Sequence, residues 1–461
     1  MDRMNALDAS FLDVEDSVSH MHIGTVGIFE GPSPAYDELR SMVLGKLALI
    51  PRYRQVVRFV PFRVGRTVWV DDPHFELDYH LRRTGLPQPG GDRELRLLVG
   101  RVMSQQLDRA KPLWEMWIVE GLDEGRWALI SKFHHCMVDG VAGTDLLALL
   151  LDRQRDPEPP TQDTWTPEQA PDGIELFTKA IALNVLAPLA ATRALTDPGE
   201  IVKVGQDAAR GLWRMRDVIR PTPASSLNGP IGPNRRWDWA RARLSDVKVV
   251  RTALGGTVND VVLACITGGF RQLLLSRGEP VDRVVRTLVP VSVRTPAEHG
   301  SYNNRVSAIF AELPVSIEDP ASRLQSICAQ MAELKDSHED VAGELLTSLT
   351  GLAPPLLLSL AERLATRMPQ HNVNTVTTNV CGPQYPLYAG GRRMIETFPY
   401  VPLGGHVRVG VAIFSYDGAC AFGVTGDYDS AADIDVLCRG IEQSLAELLA
   451  LTEPQLNASA A

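Results

Sequence analysis

The chain has 461 residues, of which 44% are hydrophobic and 22% are charged, a composition typical of globular proteins rather than disordered ones. Its formal net charge is −10 and no basic block offsets this charge, which argues against a nucleic-acid-binding protein. The length exceeds what one hydrophobic core usually supports, so two domains are expected.

The termini and cysteines indicate the compartment. The first residues, 1–5, lack the apolar stretch of a secretory signal, and the six cysteines form no CxxC pair. Both features favour a cytosolic protein with reduced thiols. No segment reaches the ~20 uninterrupted apolar residues that cross a bilayer. Residues 181–195 and 345–360 are interpreted either as amphipathic helices on a lipid surface or as helices packed inside the protein.

Strand and helix signals alternate along the first ~150 residues. A stretch rich in Pro, Asp, Glu and Thr follows at 156–172, then helical segments at 174–218 and a Pro/Gly/Ser-rich stretch at 221–233. In this first part the patterns predict strands at 23–29, 68–70, 75–80, 114–119 and 127–133, and helices at 36–49 and 95–107.

A second α/β region closes the chain. The predicted organisation is therefore an N-terminal domain at 1–155, a helical crossover at 156–233 and a C-terminal domain at 234–461, with the active site where the two halves meet. In this region the patterns predict strands at 284–293, 306–313, 373–380, 407–415 and 419–425, and helices after Asn259, at 321–335 and at 434–451.

One heptapeptide, residues 134–140, carries the clearest chemical signal. A buried strand runs into His134 and His135, and Asp139-Gly140 then forms a turn before a helix start. A neutral imidazole is well suited to remove a hydroxyl proton near neutral pH. Successive strand residues face opposite sides, so one histidine is expected to be a base and the other a packing residue. We assign the base to His135.

Two other interpretations of this peptide stay open. A histidine beside a strand is most often a structural residue. His134, His135 and Asp139 are also metal-ligand types, although the histidines point apart and no fourth ligand lies nearby, so no metal is predicted.

The peptide resembles the HHxxxDG motif of the CoA-dependent acyltransferase superfamily. Further motifs follow one another along the chain: the opening at 7–24, Pro112-Leu113-Trp114, Asn259-Asp260, the strand end Pro290 to Arg294, and the turn Asn379 to Pro383. Together, and in this order, they narrow the resemblance to the bacterial wax ester synthase/diacylglycerol acyltransferase (WS/DGAT) family. Cys381 stands in place of the family's usual Pro.

This resemblance implies a fold and a function. The fold is α/β, with two chloramphenicol-acetyltransferase-like domains, each a mixed sheet with helices, joined by a helical linker around an interface active site. The implied reaction transfers a long-chain fatty acyl group from acyl-CoA to diacylglycerol, to a long-chain alcohol, or to both. His135 is the implied general base, with His134, Asp139 and Gly140 in support. Acyl-CoA is a substrate, and no cofactor is implied.

The other site residues follow from the same resemblance. Arg294 is the implied ion-pair partner of Asp139 across the two halves. Asn259 is expected to line the site near the base, although Asn259 and Asp260 are also good helix N-caps. Asn379 is a candidate donor to the acyl carbonyl or a turn-capping residue.

Three rival functions remain open at this stage. A related acyltransferase of the same superfamily would take carrier-protein thioesters. Glycerol-phosphate acyltransferases carry a His-x4-Asp pattern, here His134 to Asp139, but usually have membrane helices. A non-catalytic lipid-binding protein would not need the intact motif. The leading interpretation predicts a cytoplasmic enzyme, of unknown oligomeric state, peripherally associated with the inner membrane or lipid droplets.

Overall fold

The computed structural model describes residues 2–63, 65–137, 149–157, 163–182, 222–223, 225–292, 306–338 and 372–452. Two six-stranded mixed sheets dominate this part of the chain, and a small three-stranded sheet lies beside the first. The strands are β1 (Asp2–Arg3), β2 (His22–Phe29), β3 (Gln55–Arg58), β4 (Val68–Asp71), β5 (Leu81–Gly85), β6 (Trp114–Glu120), β7 (Trp127–His134), β8 (Arg235–Arg243), β9 (Val285–Ser292), β10 (Val306–Leu313), β11 (Thr375–Cys381), β12 (Tyr388–Ala389), β13 (Arg392–Tyr400), β14 (Val409–Tyr416) and β15 (Ala419–Asp427).

The strands are arranged in three sheets, and helices pack against the two large ones. The first sheet has the strand order β12-β13-β2-β7-β6-β5, the second β10-β9-β11-β14-β15-β8, and the small sheet β1-β4-β3. Residues 173–182 are also helical, whereas most of the predicted 156–233 crossover lies outside the described residues. The other helices are α1 (Ala6–Val14), α2 (Tyr36–Lys46), α3 (Leu77–His80), α4 (Asp92–Ser104), α5 (Leu244–Leu254), α6 (Val258–Ser276), α7 (Pro320–His338) and α8 (Ile434–Ala450).

Strand β13 comes from the second half of the chain but completes the sheet of the first half. It pairs antiparallel with β2, from Met394 opposite Phe29 to Tyr400 opposite Gly24. No single cut along the chain therefore separates the two sheets. The predicted boundaries 1–155, 156–233 and 234–461 stay predictions, and they do not account for this exchanged strand.

Side chains of the second sheet also hold β13. The Tyr416 hydroxyl of β14 donates to the carbonyl of Met394 at 3.0 Å and accepts from the N–H of Leu387 at 2.8 Å. The indole N–H of Trp237 donates to the carbonyl of Pro399 at 3.1 Å. At Gly423 a Cβ atom would lie only 1.7 Å from the same carbonyl, so only glycine permits this approach. The exchanged strand thus joins both halves.

Helix α6 begins where a capping box closes its first turn. Thr257 is the N-cap, and the Asp260 carboxylate accepts from its backbone N–H and hydroxyl, each at 2.8 Å. Of the described helices, α6 alone is long and apolar enough to cross a membrane, with a mean hydropathy of 1.3. However, 72% of that span is buried inside the protein, where it packs in the core of the second half. Burial to this extent is typical of a helix in the core of a globular protein.

The secondary structure differs from the sequence prediction in several places, and β3, β5 and α5 are among the elements that the patterns did not indicate. The strand predicted at 75–80 is wrong, because Leu77–His80 is a helical turn. His80 stacks on Trp114 at 4.5 Å and its Nδ1 lies 2.8 Å from the Trp114 carbonyl, so tertiary packing outweighs the local strand preference. Strands β8 and β13 were not predicted, since arginines and acids interrupt their apolar alternation.

Tyr416→Phe tests the attachment of β13. Removing the hydroxyl leaves the buried Leu387 N–H and Met394 carbonyl without their partner, and we expect the free energy of unfolding to fall by about 1–3 kcal/mol. Urea denaturation measures the change. Tyr428→Phe, at an exposed tyrosine, is the matched control. Equal, small effects of the two substitutions would contradict the bridging role.

Candidate active site

The two histidines of the motif lie at the end of a central strand. His134 is the last residue of β7 and pairs with His22 of β2. His135 begins a 3-10 turn, and its backbone N–H donates to the Met21 carbonyl at 2.8 Å. The turn therefore starts at His135, and the backbone of β2 fixes its position.

His134 is fully buried, with one ring nitrogen hydrogen-bonded and the other facing a carboxylate just beyond hydrogen-bonding distance. Its Nδ1 accepts from the backbone N–H of Cys136 at 3.1 Å, so Nδ1 carries no proton and Nε2 is the protonated ring nitrogen. Nε2 lies 3.6 Å from the Glu15 carboxylate. His134 is thus a ring held in place inside the protein.

His135 has different surroundings. Its half-buried ring stacks on Phe11 with a centroid distance of 3.8 Å and an interplanar angle of 23°. Neither ring nitrogen is hydrogen-bonded to another described residue, and Nδ1 is buried without a partner. Burial lowers the pKa of His135 to about 4. The ring is therefore neutral at physiological pH, and Nδ1, which has no partner among the described residues, is able to accept a proton.

Glu15, which the sequence did not single out, is at the centre of a buried polar cluster. Its carboxylate accepts from Arg109 Nε at 2.9 Å and Nη2 at 2.5 Å. His22 Nε2 lies 3.4 Å from the other carboxylate oxygen. Burial alone would raise the pKa of Glu15, but contacts with His134, His22 and Arg109 outweigh burial and hold this pKa well below its ordinary range. Glu15 is therefore an anion.

Helix α1 brings Glu15 and Phe11 to the two histidines. Glu15 is the C-cap of α1, and Phe11 precedes it by four residues, so both project from one side of the helix. Phe11 contacts His135 and Glu15 contacts His134. The i, i+4 spacing in the opening segment was the only sequence signal of this arrangement.

Two further groups surround the cluster. Burial lowers the pKa of His22 to about 3, despite the nearby Glu15, so this histidine is neutral. Lys132, two residues before His134 on β7, is buried and donates to the carbonyls of Val102 and Gln105. Burial lowers its pKa to about 8.

The second half contributes an asparagine pair. Asn379 Nδ2 on β11 donates to Asn259 Oδ1 in the first turn of α6 at 3.2 Å. The structure therefore brings together two candidate residues that lie 120 positions apart. The capping interpretation of Asn259 and Asp260 requires correction, because Thr257 is the N-cap and Asp260 is the third residue of its capping box.

An apolar cluster connects the histidine turn to the second sheet. Cys136 and Met137 of the turn belong to the same buried cluster as Phe414 and Tyr416 of β14, and Val380 of β11 packs against it. The turn therefore shares one buried apolar cluster with strands of the second sheet.

The remaining motif residues lie outside the described part of the chain. Asp139, Gly140 and Arg294 are among them, so the implied Asp139–Arg294 ion pair stays a prediction. Within the described ranges, no group of three or more His, Cys, Asp or Glu side chains is arranged to hold a metal ion.

Comparison with solved structures identifies the class of fold. The wax ester synthase/diacylglycerol acyltransferase from Marinobacter aquaeolei superposes with a TM-score of 0.68 at 25% identity, covering 98% of this chain and 99% of the other. A trichothecene 15-O-acetyltransferase from Fusarium sporotrichioides gives 0.61 at 11% identity, covering 97% and 94%. The two α/β halves are therefore those of an acyltransferase of the chloramphenicol-acetyltransferase-like class, which confirms the predicted fold class.

The sequence comparisons identify the family. Residues 4–262 match the wax ester synthase/diacylglycerol acyltransferase catalytic domain, and residues 302–449 match the WS/DGAT C-terminal domain. A probable diacylglycerol O-acyltransferase of Mycobacterium tuberculosis and a putative one of Mycobacterium bovis are each 37% identical, over 98% of this chain and 97% of theirs. The chain belongs to the WS/DGAT family and is an acyltransferase, which confirms the resemblance seen in the motifs.

Glu15→Gln tests the buried cluster. The amide cannot maintain the ion pair with Arg109, and we expect a loss of about 1–3 kcal/mol in unfolding free energy together with a lower kcat, since His134 loses its anionic neighbour. The pKa of Glu15 is lower in the folded chain than its unfolded value of about 4.5. The stabilisation is therefore present at neutral pH, and it is lost progressively as the pH falls from the unfolded pKa towards the folded pKa. Glu333→Gln, at an exposed position of α7, is the control. Unchanged stability and kcat would show that the cluster is dispensable.

The low pKa of His135 leads to a prediction about pH. Above its pKa of about 4 the imidazole is neutral, so kcat/KM should stay level from about pH 7 to about pH 5 and fall only as the pH approaches 4. Initial rates with subsaturating acceptor, restricted to the pH range in which the fold persists, give this profile. An acid limb centred near 6.5, the ordinary value for histidine, would contradict it.

Proposed function

We propose that this chain transfers a long-chain fatty acyl group from acyl-CoA to the hydroxyl of diacylglycerol, and to long-chain alcohols, with His135 as general base. The observation that carries the proposal is the neutral imidazole of His135, whose buried Nδ1 has no hydrogen-bond partner among the described residues. Diacylglycerol is favoured as acceptor because it is named for the relatives at 37% identity, and the alcohol because the family's name includes wax ester synthesis.

The proposed reaction is a direct transfer. His135 removes the proton of the acceptor hydroxyl as its oxygen attacks the thioester carbonyl. The tetrahedral intermediate then collapses, the carbon–sulfur bond breaks, and the imidazolium returns the proton to the CoA thiolate. A free CoA thiol and an ester result, so the base is regenerated. Neighbouring Cys136 is a poor alternative nucleophile, because burial raises the pKa of its thiol well above the ordinary value.

The asparagine pair supports a role in binding the acyl carbonyl. Its mutual hydrogen bond uses one amide hydrogen of Asn379, which leaves further N–H donors on Asn259 and Asn379. Donors aimed at a developing oxyanion stabilise the transition state of acyl transfer. The bond also fixes both amides relative to each other, so that they are preorganised.

The proposal also covers where in the cell the enzyme acts. Long-chain acyl-CoA and diacylglycerol are amphiphilic or insoluble, so an enzyme that acts on them is expected to collect them from a lipid surface. We therefore propose a cytoplasmic enzyme that associates reversibly with the inner membrane or with lipid droplets.

Substituting each histidine separately tests the assignment of roles. With palmitoyl-CoA and diolein or hexadecanol, His135→Ala should lower kcat by roughly 10²- to 10⁴-fold with little change in melting temperature, because the base is removed from a half-buried site. His134→Ala should lose less activity and more stability, because it removes a buried ring that accepts from Cys136.

Two outcomes would overturn the proposal. Equal losses of kcat with unchanged melting would contradict the division of roles. Failure of purified wild-type protein to form ester with either acceptor, while it accepts an acyl carrier-protein thioester, would favour the related carrier-protein reaction instead.

A further inference from the structure

An exposed phenylalanine stands at the tip of the turn Pro61–Arg63. The side chain of Phe62 is 87% exposed, and its backbone has a φ of 55° and a ψ of 10°. This left-handed conformation suits glycine and disfavours a side chain. A large aromatic residue is therefore presented to solvent where neither burial nor backbone preference accounts for it.

The helix at 173–182 lies along this turn. Phe177 contacts Phe62 with a ring-centroid distance of 5.9 Å. A Cβ atom at Gly65 would lie 2.8 Å from the Ala180 Cβ, so the chain beyond the turn touches the helix directly. Leu176 is buried in a cluster with Val56, Val68 and Val70 of the small sheet. The turn and the helix thus form one surface over this sheet.

The outer side of the same helix is apolar. Ile174 is 75% exposed and Ile181 is 40% exposed. Seven residues apart, they lie on one side of the helix, next to the Phe62–Phe177 pair. The charged residues Glu175 and Lys179 pair with each other at 2.6 Å on another side. Ile174 and Ile181, with the Phe62–Phe177 pair, therefore form an exposed apolar strip.

Exposed arginines lie on the small sheet that the helix covers, and another follows the turn closely in sequence. Arg3 and Arg58 occupy the positions opposite Val68 on its two neighbouring strands, so they share the sheet face that the helix covers. Both are exposed, as is Arg66, and within the described residues none of the three has an acidic partner.

Acidic residues are also present near this surface. Asp2 approaches Arg52 at 3.9 Å, and Asp172 accepts from the backbone N–H of Glu175 at 2.7 Å. The unpaired charges are thus predominantly positive, in a chain whose formal net charge is −10.

We propose that the turn Pro61–Arg63 and the 173–182 helix form a docking surface for an anionic phospholipid bilayer. Phe62, Ile174 and Ile181 enter the boundary between headgroups and acyl chains, and Arg58 and Arg66 contact lipid phosphates. An apolar strip near these arginines matches this interface, which is apolar beneath an anionic layer. The inference rests on the proposed peripheral association and assigns it to specific residues.

Phe62→Gly is the most informative substitution. Glycine suits the φ of 55°, so the variant should melt at the same temperature as the wild type or higher. Its binding to vesicles should nevertheless weaken by about tenfold or more, because the most exposed aromatic side chain is lost. Flotation with vesicles of phosphatidylcholine, and of phosphatidylcholine mixed with phosphatidylglycerol, measures binding at low and high salt.

Two further variants separate the apolar and electrostatic contributions. Ile174→Asp should weaken binding to both kinds of vesicle. Arg58→Glu with Arg66→Glu should abolish the preference for phosphatidylglycerol and its salt sensitivity. Leu275→Asp, at an exposed leucine of α6 in the other half of the chain, is the control and should bind as the wild type does. Ester formation with substrates in detergent micelles should be unchanged in all four.

The outcomes distinguish this inference from the function on which it rests. If the wild type floats and Phe62→Gly floats equally well, association occurs elsewhere and the docking surface is wrong. If the wild type floats with neither vesicle, peripheral association itself is wrong. If binding weakens together with melting temperature and micellar activity in every variant, the strip is structural rather than a lipid contact.

Discussion

Strand β2 carries the constraint on which the rest of the structure depends, because it pairs with β7 on one side and with the exchanged strand β13 on the other. The first pairing fixes the histidine turn, and the second ties the second half of the chain to the first. At Gly24 a Cβ atom would lie 2.3 Å from the Ser131 carbonyl, so only glycine permits the close contact of β2 with β7. The position of the candidate base therefore depends on backbone pairing between segments that are far apart in sequence.

Two adjacent histidines acquire different properties from their surroundings. His134 ends the strand, and its nitrogens meet Cys136 and Glu15, so it connects the strand to a buried anion. His135 follows the strand end and stacks on Phe11, and its Nδ1 is buried without a hydrogen-bond partner among the described residues. Burial of a neutral ring costs little, whereas protonation there is unfavourable, and the pKa falls accordingly. Helix α1 contacts both rings and so couples their positions.

Catalysis and lipid docking are also assigned to different parts of the molecule. The chain is acidic overall, yet the turn and helix beside the small sheet present an apolar strip, near arginines that have no acidic partner among the described residues. An enzyme whose substrates lie in lipid needs a surface that meets lipid, and this one is distinct from the histidine turn. Catalysis and docking would then be carried by different elements of the same half of the chain, so that each can be altered without the other.

The sequence by itself determined the family, the two α/β halves and the histidine pair, because local apolar patterns and short motifs carry that information. It did not indicate β8 and β13, whose arginines and acids interrupt their alternation, or the helical turn at His80, which packs on Trp114. Only the tertiary structure assigned Glu15 to His134, paired Asn379 with Asn259 and identified Thr257 as the cap of α6. The physical reason is that hydrogen bonds, burial and the resulting pKa shifts depend on neighbours in space, and these neighbours are distant along the chain.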